Sequence, residues 1–223
     1  MKLFIVFSIL FLSLACSSDQ NLTKSEKALL EEFNFDANLF SQLKKDESIA
    51  YQQLSITENV FSLGDMATEQ KPTKLLKGIS FPYNWKKDYE FVRRLVPELS
   101  PKGYQIFISK LGDENSPSLL SVIKSKNQLD ILKTIGTSSL NHDISNETLI
   151  EKIQKWDETH GVQIYSAGSD WMDLWFQAPK NVHQLTEEIA AFVPDIVVQP
   201  GYYSIEDLRK DLNEGVIINF WWD

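Results

Sequence analysis

Cysteine is almost missing. The chain has one, Cys16, so no disulfide can form within it and no zinc site built on several thiolates can be assembled. Histidine is nearly as scarce, with three in 223 residues, and no H-E-x-x-H-like spacing links any two of them. No Gly-rich phosphate loop is present. Ser169 in "AGSDW" reads as a hairpin turn, not as the G-x-S-x-G elbow that a hydrolase nucleophile occupies between strand and helix. Positive charge is short as well. Lys and Arg number 22 against 31 Asp and Glu, a formal net charge of -9, and no basic block offsets it. That balance argues against a nucleic-acid surface, and it sets the body of the protein against anionic lipid headgroups. The sequence also lacks internal repeats and low-complexity segments. With 43% hydrophobic and 24% charged residues, it is too apolar for disorder.

Only one long apolar run exists, and it opens the chain. "MKLFIVFSILFLSLAC" carries a single positive charge, Lys2, then apolar residues to Leu14, then Ala15 and Cys16. About a dozen residues fall short of the roughly 20 that a membrane-spanning helix needs, but they suit the h-region of a secretory signal. Cys16 stands where a bacterial lipoprotein signal places the residue that is lipidated and becomes the new N-terminus. "LSLAC" resembles that signal, with Ser13 departing from the commoner Leu. The reading is a signal peptide over residues 1–15 and a lipid anchor and tether over 16–25. The protein is then held in the bacterial cell envelope through lipid on Cys16, and Ser17 rather than Asp after the cysteine favours the outer membrane. A lipidated Cys16 has no thiol left for catalysis.

Periodicity supplies the rest. Thr23 and Glu26 have capping-box spacing, and Leu29, Leu30, Phe33, Phe40 and Leu43 suggest an amphipathic helix broken near Asn34. Residues 26–100 read as a helical region packing on the main domain, with a mixed pattern over 49–82 and a helix, "KKDYEFVRRLVPEL", stopped near Pro97. From residue 101 the signals sharpen. "YQIFISKL" and "LLSVIK" make a hairpin across "GDENSPS", and "NQLDILKTIG" is a short helix capped by Ser125 and Gln128. "NETLIEKIQKWDETHG" is a longer helix stopped by Gly161. "VQIYSA" and "WMDLWFQA" make a second hairpin, two further helices follow, and "VIINFWW" is a last strand. The class is α+β, a mainly antiparallel sheet with helices on one face, ferredoxin-like packing being the closest analogue for the C-terminal half. The last strand is apolar on both faces, which is the pattern of a strand inside a sheet rather than at its edge.

The ordered set "GTSSLNHDI", Trp156 leading into "HGVQIY", "AFVPDIVVQPG" and "FWWD" resembles domain of unknown function 4253, over roughly the last half of the chain. The resemblance brings no established activity. It departs at Val193, where members commonly show Cys before the Pro-Asp pair, and at Pro200, which separates Gln199 from Gly201.

Candidate residues group in two places. Asp195, Gln199, Trp222 and Asp223 fall at one end of the sheet, where Asn141 and His142 could position a ligand. Asp195, following Pro194, also suits a turn acceptor. Trp171, Asp173, Trp175 and Gln177 share a strand face opposite Met172, Leu174 and Phe176. That face is either covered by the N-terminal helix or is an interaction surface. His160 sits at a helix C-terminus, where the dipole favours a partly cationic ring, and His183 is solvated. No metal or other cofactor is indicated. The function favoured on these grounds is a membrane-anchored module binding an unknown protein or small molecule. The alternatives are a hydrolase-type enzyme pairing Asp195 with Asp223, and a structural or immunity-like protein docking one partner on the Trp face.

Overall fold

Alternating apolar side chains build one seven-stranded sheet in the computed structural model, which describes residues 21–47, 49–57, 72–139, 142–198 and 204–222. The strands are β1 (Gln52–Thr57), β2 (Pro72–Tyr83), β3 (Tyr104–Lys110), β4 (Ser118–Lys124), β5 (Val162–Ala167), β6 (Trp171–Phe176) and β7 (Ile218–Trp221), in the order β1-β2-β4-β3-β5-β6-β7. Every neighbouring pair is antiparallel except β3 and β5, where Ile108 lies opposite Ser166. The helices are α1 (Lys24–Glu32), α2 (Ala37–Glu47), α3 (Asp88–Leu99), α4 (Asp130–Ile135), α5 (Asn146–His160), α6 (Val182–Phe192), α7 (Asp195–Val198) and α8 (Ile205–Glu214). The α+β class stands.

Two cores sandwich the sheet, because its central strands are apolar on both faces. On one face Phe107, Ile164, Leu174 and Phe220 meet Leu132 of α4, Ile153 of α5, Ile189 of α6 and Leu212 of α8. On the other, Ile106, Ile108, Leu120 and Val122 meet Leu30 of α1, Phe40 of α2 and Phe91 and Leu95 of α3. The helices that follow Tyr104 therefore share one face, as expected, and the N-terminal helices cover the opposite one.

Several expectations meet a different arrangement. Residues 26–100 are not only helical, since β1 and β2 extend the same sheet beyond β4. After β4 the element order resembles a ferredoxin-like βαββαβ, but the pairing does not. The chain returns through α4 and α5 to β5 on the far side of β3, and β6 and β7 are antiparallel neighbours joined through three helices. β7 lies at the end of the strand order instead of inside it. It is apolar on both sides because Ile218 and Phe220 fill one core while Ile217 packs against the other. α3 runs through Pro97 to Leu99. Proline lies in its last turn, where little helix remains to be broken, and Phe91, Val92, Leu95 and Leu99 are all buried. At α4 no side chain caps the helix end. Ser125 instead accepts from the Asn127 N–H and donates to Asp130.

The N-terminal helices are pinned by one buried acid. Thr23 and Glu26 form the expected capping box, and Glu26, 3% exposed, also takes an ion pair from Lys44 of α2 and the Tyr51 N–H ahead of β1. Burial pushes the Glu26 carboxyl up, but Lys44 and the Thr23 and Tyr51 N–H groups outweigh it and hold it at about 2, against 4.5 unperturbed. A carboxyl lowered on folding stabilises fully above its unfolded value and loses that contribution as pH falls toward its folded one. Glu26→Gln is expected to cost on the order of 2–3 kcal/mol at pH 7, with the deficit closing between about pH 4.5 and 2. Urea unfolding of both proteins across that range checks it, and a deficit that stays constant with pH would refute the assignment.

Candidate functional site

Strand directions decide where loops gather. Since β3 and β5 are parallel and all other neighbours antiparallel, β2, β3, β5 and β7 point the same way and end at one edge of the sheet. The helices return to that edge. α5 begins there, with Asn146 bonded to the Thr137 carbonyl and the Thr137 hydroxyl bonded to Gly168, and it descends to His160. α6 starts beside His160, whose ring accepts the Lys180 N–H, and climbs back to deliver Val193, Pro194 and Asp195. The β5–β6 turn ties the edge together. Ser169 accepts the Ser138 N–H at 2.8 Å and Asp170 accepts the Trp222 N–H at 3.1 Å. In that turn Gly168 leaves room for the Trp171 indole, as a Cβ there would lie 1.9 Å from its nitrogen.

At this edge His142 and Asp195 meet. His142 Nε2 lies 2.9 Å from Asp195 Oδ2, and the two side chains are 26% and 17% exposed. His142 is presented by a tight turn. Ser139 and Ile144 bridge each other through both backbone hydrogen bonds, and Asp143 takes a left-handed φ of 53°, a conformation Asp tolerates better than most residues. Asp195 opens α7, which packs on β7 with Ile196 in the core. Two further polar groups on these elements are buried without a hydrogen-bond partner, the Ser139 hydroxyl and the Trp222 indole N–H. Leaving such a group unpaired costs about 1–3 kcal/mol; one of the two lies on the turn that presents His142 and the other just past β7, the strand on which α7 packs.

Of the residues singled out in the sequence, the fold brings His142 and Asp195 into contact and places Trp222 on the neighbouring strand end. Cys16, Asn141, Gln199 and Asp223 lie outside the described residues. Ser139 had no signal of its own beyond its place in "GTSSLNHDI". Val193, where the resemblance led to Cys, is buried in the core.

The Trp171 and Trp175 face is covered, in part, by α3 rather than by α1 and α2. Arg93 of α3 stacks 5.3 Å from the Trp175 ring, and Tyr89 donates to Asp173. Asp173 is buried rather than surface-exposed, and it also accepts from Ser166 and from Asn219. Burial and the neighbouring Asp173 charge push the Tyr89 phenol far above its usual pKa. Trp171 and Trp175 remain half-exposed.

His160 corrects the helix-dipole expectation. It is buried, its Nδ1 accepts a backbone N–H, and burial lowers its pKa, all of which favour the neutral ring. His183 is exposed beside Glu187 and Arg209. Among the described residues no group of three or more His, Cys, Asp or Glu could hold a metal ion, and no helix is long and apolar enough to cross a membrane.

No curated protein and no solved structure matches the chain. Residues 119–223 match the family model described as a domain of unknown function, DUF4253, a segment that starts within β4 and takes in every residue of the site, from Ser139 and His142 to Asp195 and Trp222.

Proposed function

We propose that this protein is a lipid-anchored envelope protein whose sheet-edge site binds a small polar ligand. The observation that carries the binding half is the partly exposed His142–Asp195 pair at an edge of the sheet where the same turn and the neighbouring strand end also carry two buried, unpartnered groups, Ser139 Oγ and Trp222 Nε1. A ligand that supplied their missing hydrogen bonds would recover part of the cost of burying them. Sequence alone supports the anchoring half, through the lone Cys16 behind an apolar run that is too short to span a bilayer. Two or more acyl chains on one residue would anchor stably, at about 0.8 kcal/mol per buried CH₂.

Both halves are open to test. Cys16→Ser is expected to move the protein from the membrane fraction to the soluble one, and retention in the membrane would refute lipid anchoring. For binding, a thermal-shift screen of the full chain in detergent would run through sugars, nucleotides, amino acids and peptidoglycan fragments. A ligand at a hundred times its Kd adds about 2.7 kcal/mol, a Tm rise of roughly 5–11 °C at this size. The rise should vanish in Asp195→Asn and His142→Gln. A hit that survives both substitutions places the ligand elsewhere.

The His142–Asp195 contact also bears on the enzymatic alternative. It gives Asp195 a partner capable of proton transfer that does not depend on Asp223.

A further inference from the structure

We infer that His142 and Asp195 form an acid–base pair that hydrolyses an ester or amide carbonyl, with water as the nucleophile; the inference rests on the binding site proposed above and adds chemistry to it. The first observation is which ring nitrogen faces the acid. Nε2 is the atom 2.9 Å from Asp195 Oδ2, so in a neutral ring the proton sits on Nε2 and the lone pair on Nδ1. Among the described residues Nδ1 has no partner. A carboxylate holding one nitrogen as the donor, with the other left open as a base, is the arrangement through which an imidazole is oriented for proton transfer.

Access and rigidity agree with this role. The pair is about one-fifth exposed, 26% for His142 and 17% for Asp195, so it can be reached yet is partly withdrawn from water. The turn presenting the ring is closed by the double hydrogen bond between Ser139 and Ile144, and Asp195 is seated by Val193 and Ile196 in the core. Less reorganisation is then needed when a substrate arrives.

The reacting groups follow from the same inventory. No Ser, Thr or Tyr hydroxyl hydrogen-bonds the His142 ring among the described residues, which leaves water as the nucleophile. Nδ1 takes a proton from water as its oxygen adds to the carbonyl carbon, and the carbonyl π electrons move onto the carbonyl oxygen. When the tetrahedral species collapses, the bond to the leaving oxygen or nitrogen breaks and the new Nδ1–H proton passes to it. The products are a carboxylic acid and an alcohol or amine. Ser139, on the turn that presents His142, and Trp222, just past β7, carry buried donors without partners. Asp143 in the His142 turn, Asp170 in the β5–β6 turn and Asp195 at the start of α7 bring acidic groups to this edge, which disfavours a phosphate and favours an uncharged carbonyl compound. His142 is the catalytic residue in this scheme and Asp195 the positioning residue.

The test combines a spectroscopic and a kinetic measurement on the full chain in detergent. With 15N-labelled histidine, and the His142 signals assigned by their loss in His142→Gln, the ring is expected as the Nε2–H tautomer, turning into a mixture in Asp195→Asn. Hydrolysis of p-nitrophenyl acetate and of an alanine p-nitroanilide is then compared across the three proteins. General acid–base catalysis is typically worth about 10²–10⁴-fold, so His142→Gln should lose at least a hundredfold in kcat on one of the two substrates. Asp195→Asn should lose kcat more than it raises KM, with the melting temperature of both variants unchanged. An Nδ1–H tautomer in the parent protein overturns the pairing. The expected tautomer with no hydrolysis above the His142→Gln background on either substrate overturns the catalysis, while the binding proposal stands or falls separately on the thermal-shift screen.

Discussion

Asp173→Ala is expected to destabilise the fold by roughly 3–5 kcal/mol, the range for removing one partner from a buried polar set. Asp173 is 1% exposed in the middle of β6, and its carboxyl group accepts from three different elements. Tyr89 reaches it from α3, Ser166 from β5, and Asn219 from β7 at 2.6 Å. Alanine takes the acceptor from the buried Ser166 hydroxyl and from the partly buried Tyr89 and Asn219 donors. Each orphan costs about 1–3 kcal/mol before the structure relaxes. Tyr89→Phe removes one donor and leaves the carboxyl two others, so its cost should be smaller, about 1–2 kcal/mol. Because the residues share one network, the double variant should cost less than the sum. Urea unfolding of the four proteins gives the whole cycle. A cost below 1 kcal/mol for Asp173→Ala would mean that α3 is not held to the sheet through this acid.

That network is also where sequence reasoning ran out. Alternation along "WMDLWF" correctly sent Met172, Leu174 and Phe176 to one core, and so put Asp173 on the other face. Whether that face was wet or dry depended on α3, more than eighty residues earlier, and Tyr89 carries no local sign of a distant carboxyl partner. Local signals fared better. The capping box at Thr23 and the C-terminal stop of α5 at Gly161 are readable because the groups involved lie within a few residues of each other. β2 escaped notice for the opposite reason. In "KLLKGISF" Leu76 points into one core and Ile79 and Phe81 into the other, while Leu75 is exposed. A strand with both faces used loses its simple alternation. At the site, His142 and Asp195 were each legible as chemistry-bearing residues, but their contact was not. It depends on the left-handed turn at Asp143 and on α6 running back to the edge where α5 begins.

Trp156→Ala should be as damaging, by about 3–5 kcal/mol, and its location explains why. The indole is 2% exposed and lies within ring contact of Phe176 in β6, Phe192 in α6 and Phe220 in β7, at centroid separations of 5.9, 5.7 and 6.0 Å. One side chain of α5 thus joins the second hairpin, the returning helix and the edge strand. Its N–H also donates to Glu188 at 3.2 Å, and Lys152 sits over the ring at 4.8 Å while pairing with the same acid. Truncation opens a cavity that four elements cannot close together, and strands Glu188 with one donor fewer. At this chain length the loss corresponds to a Tm drop of roughly 6–20 °C. Trp156→Phe keeps most of the ring contacts and should cost clearly less. The substitution also separates scaffold from site. Trp156 lies between Ser145, where α5 starts beside the His142 turn, and His160, where α6 sets out toward Asp195. If these two elements hold the pair together, Trp156→Ala should broaden the His142 ring signals well below its own melting temperature. Sharp, unchanged signals in the folded variant would show that the pair is fixed by its own turn and by α7 alone.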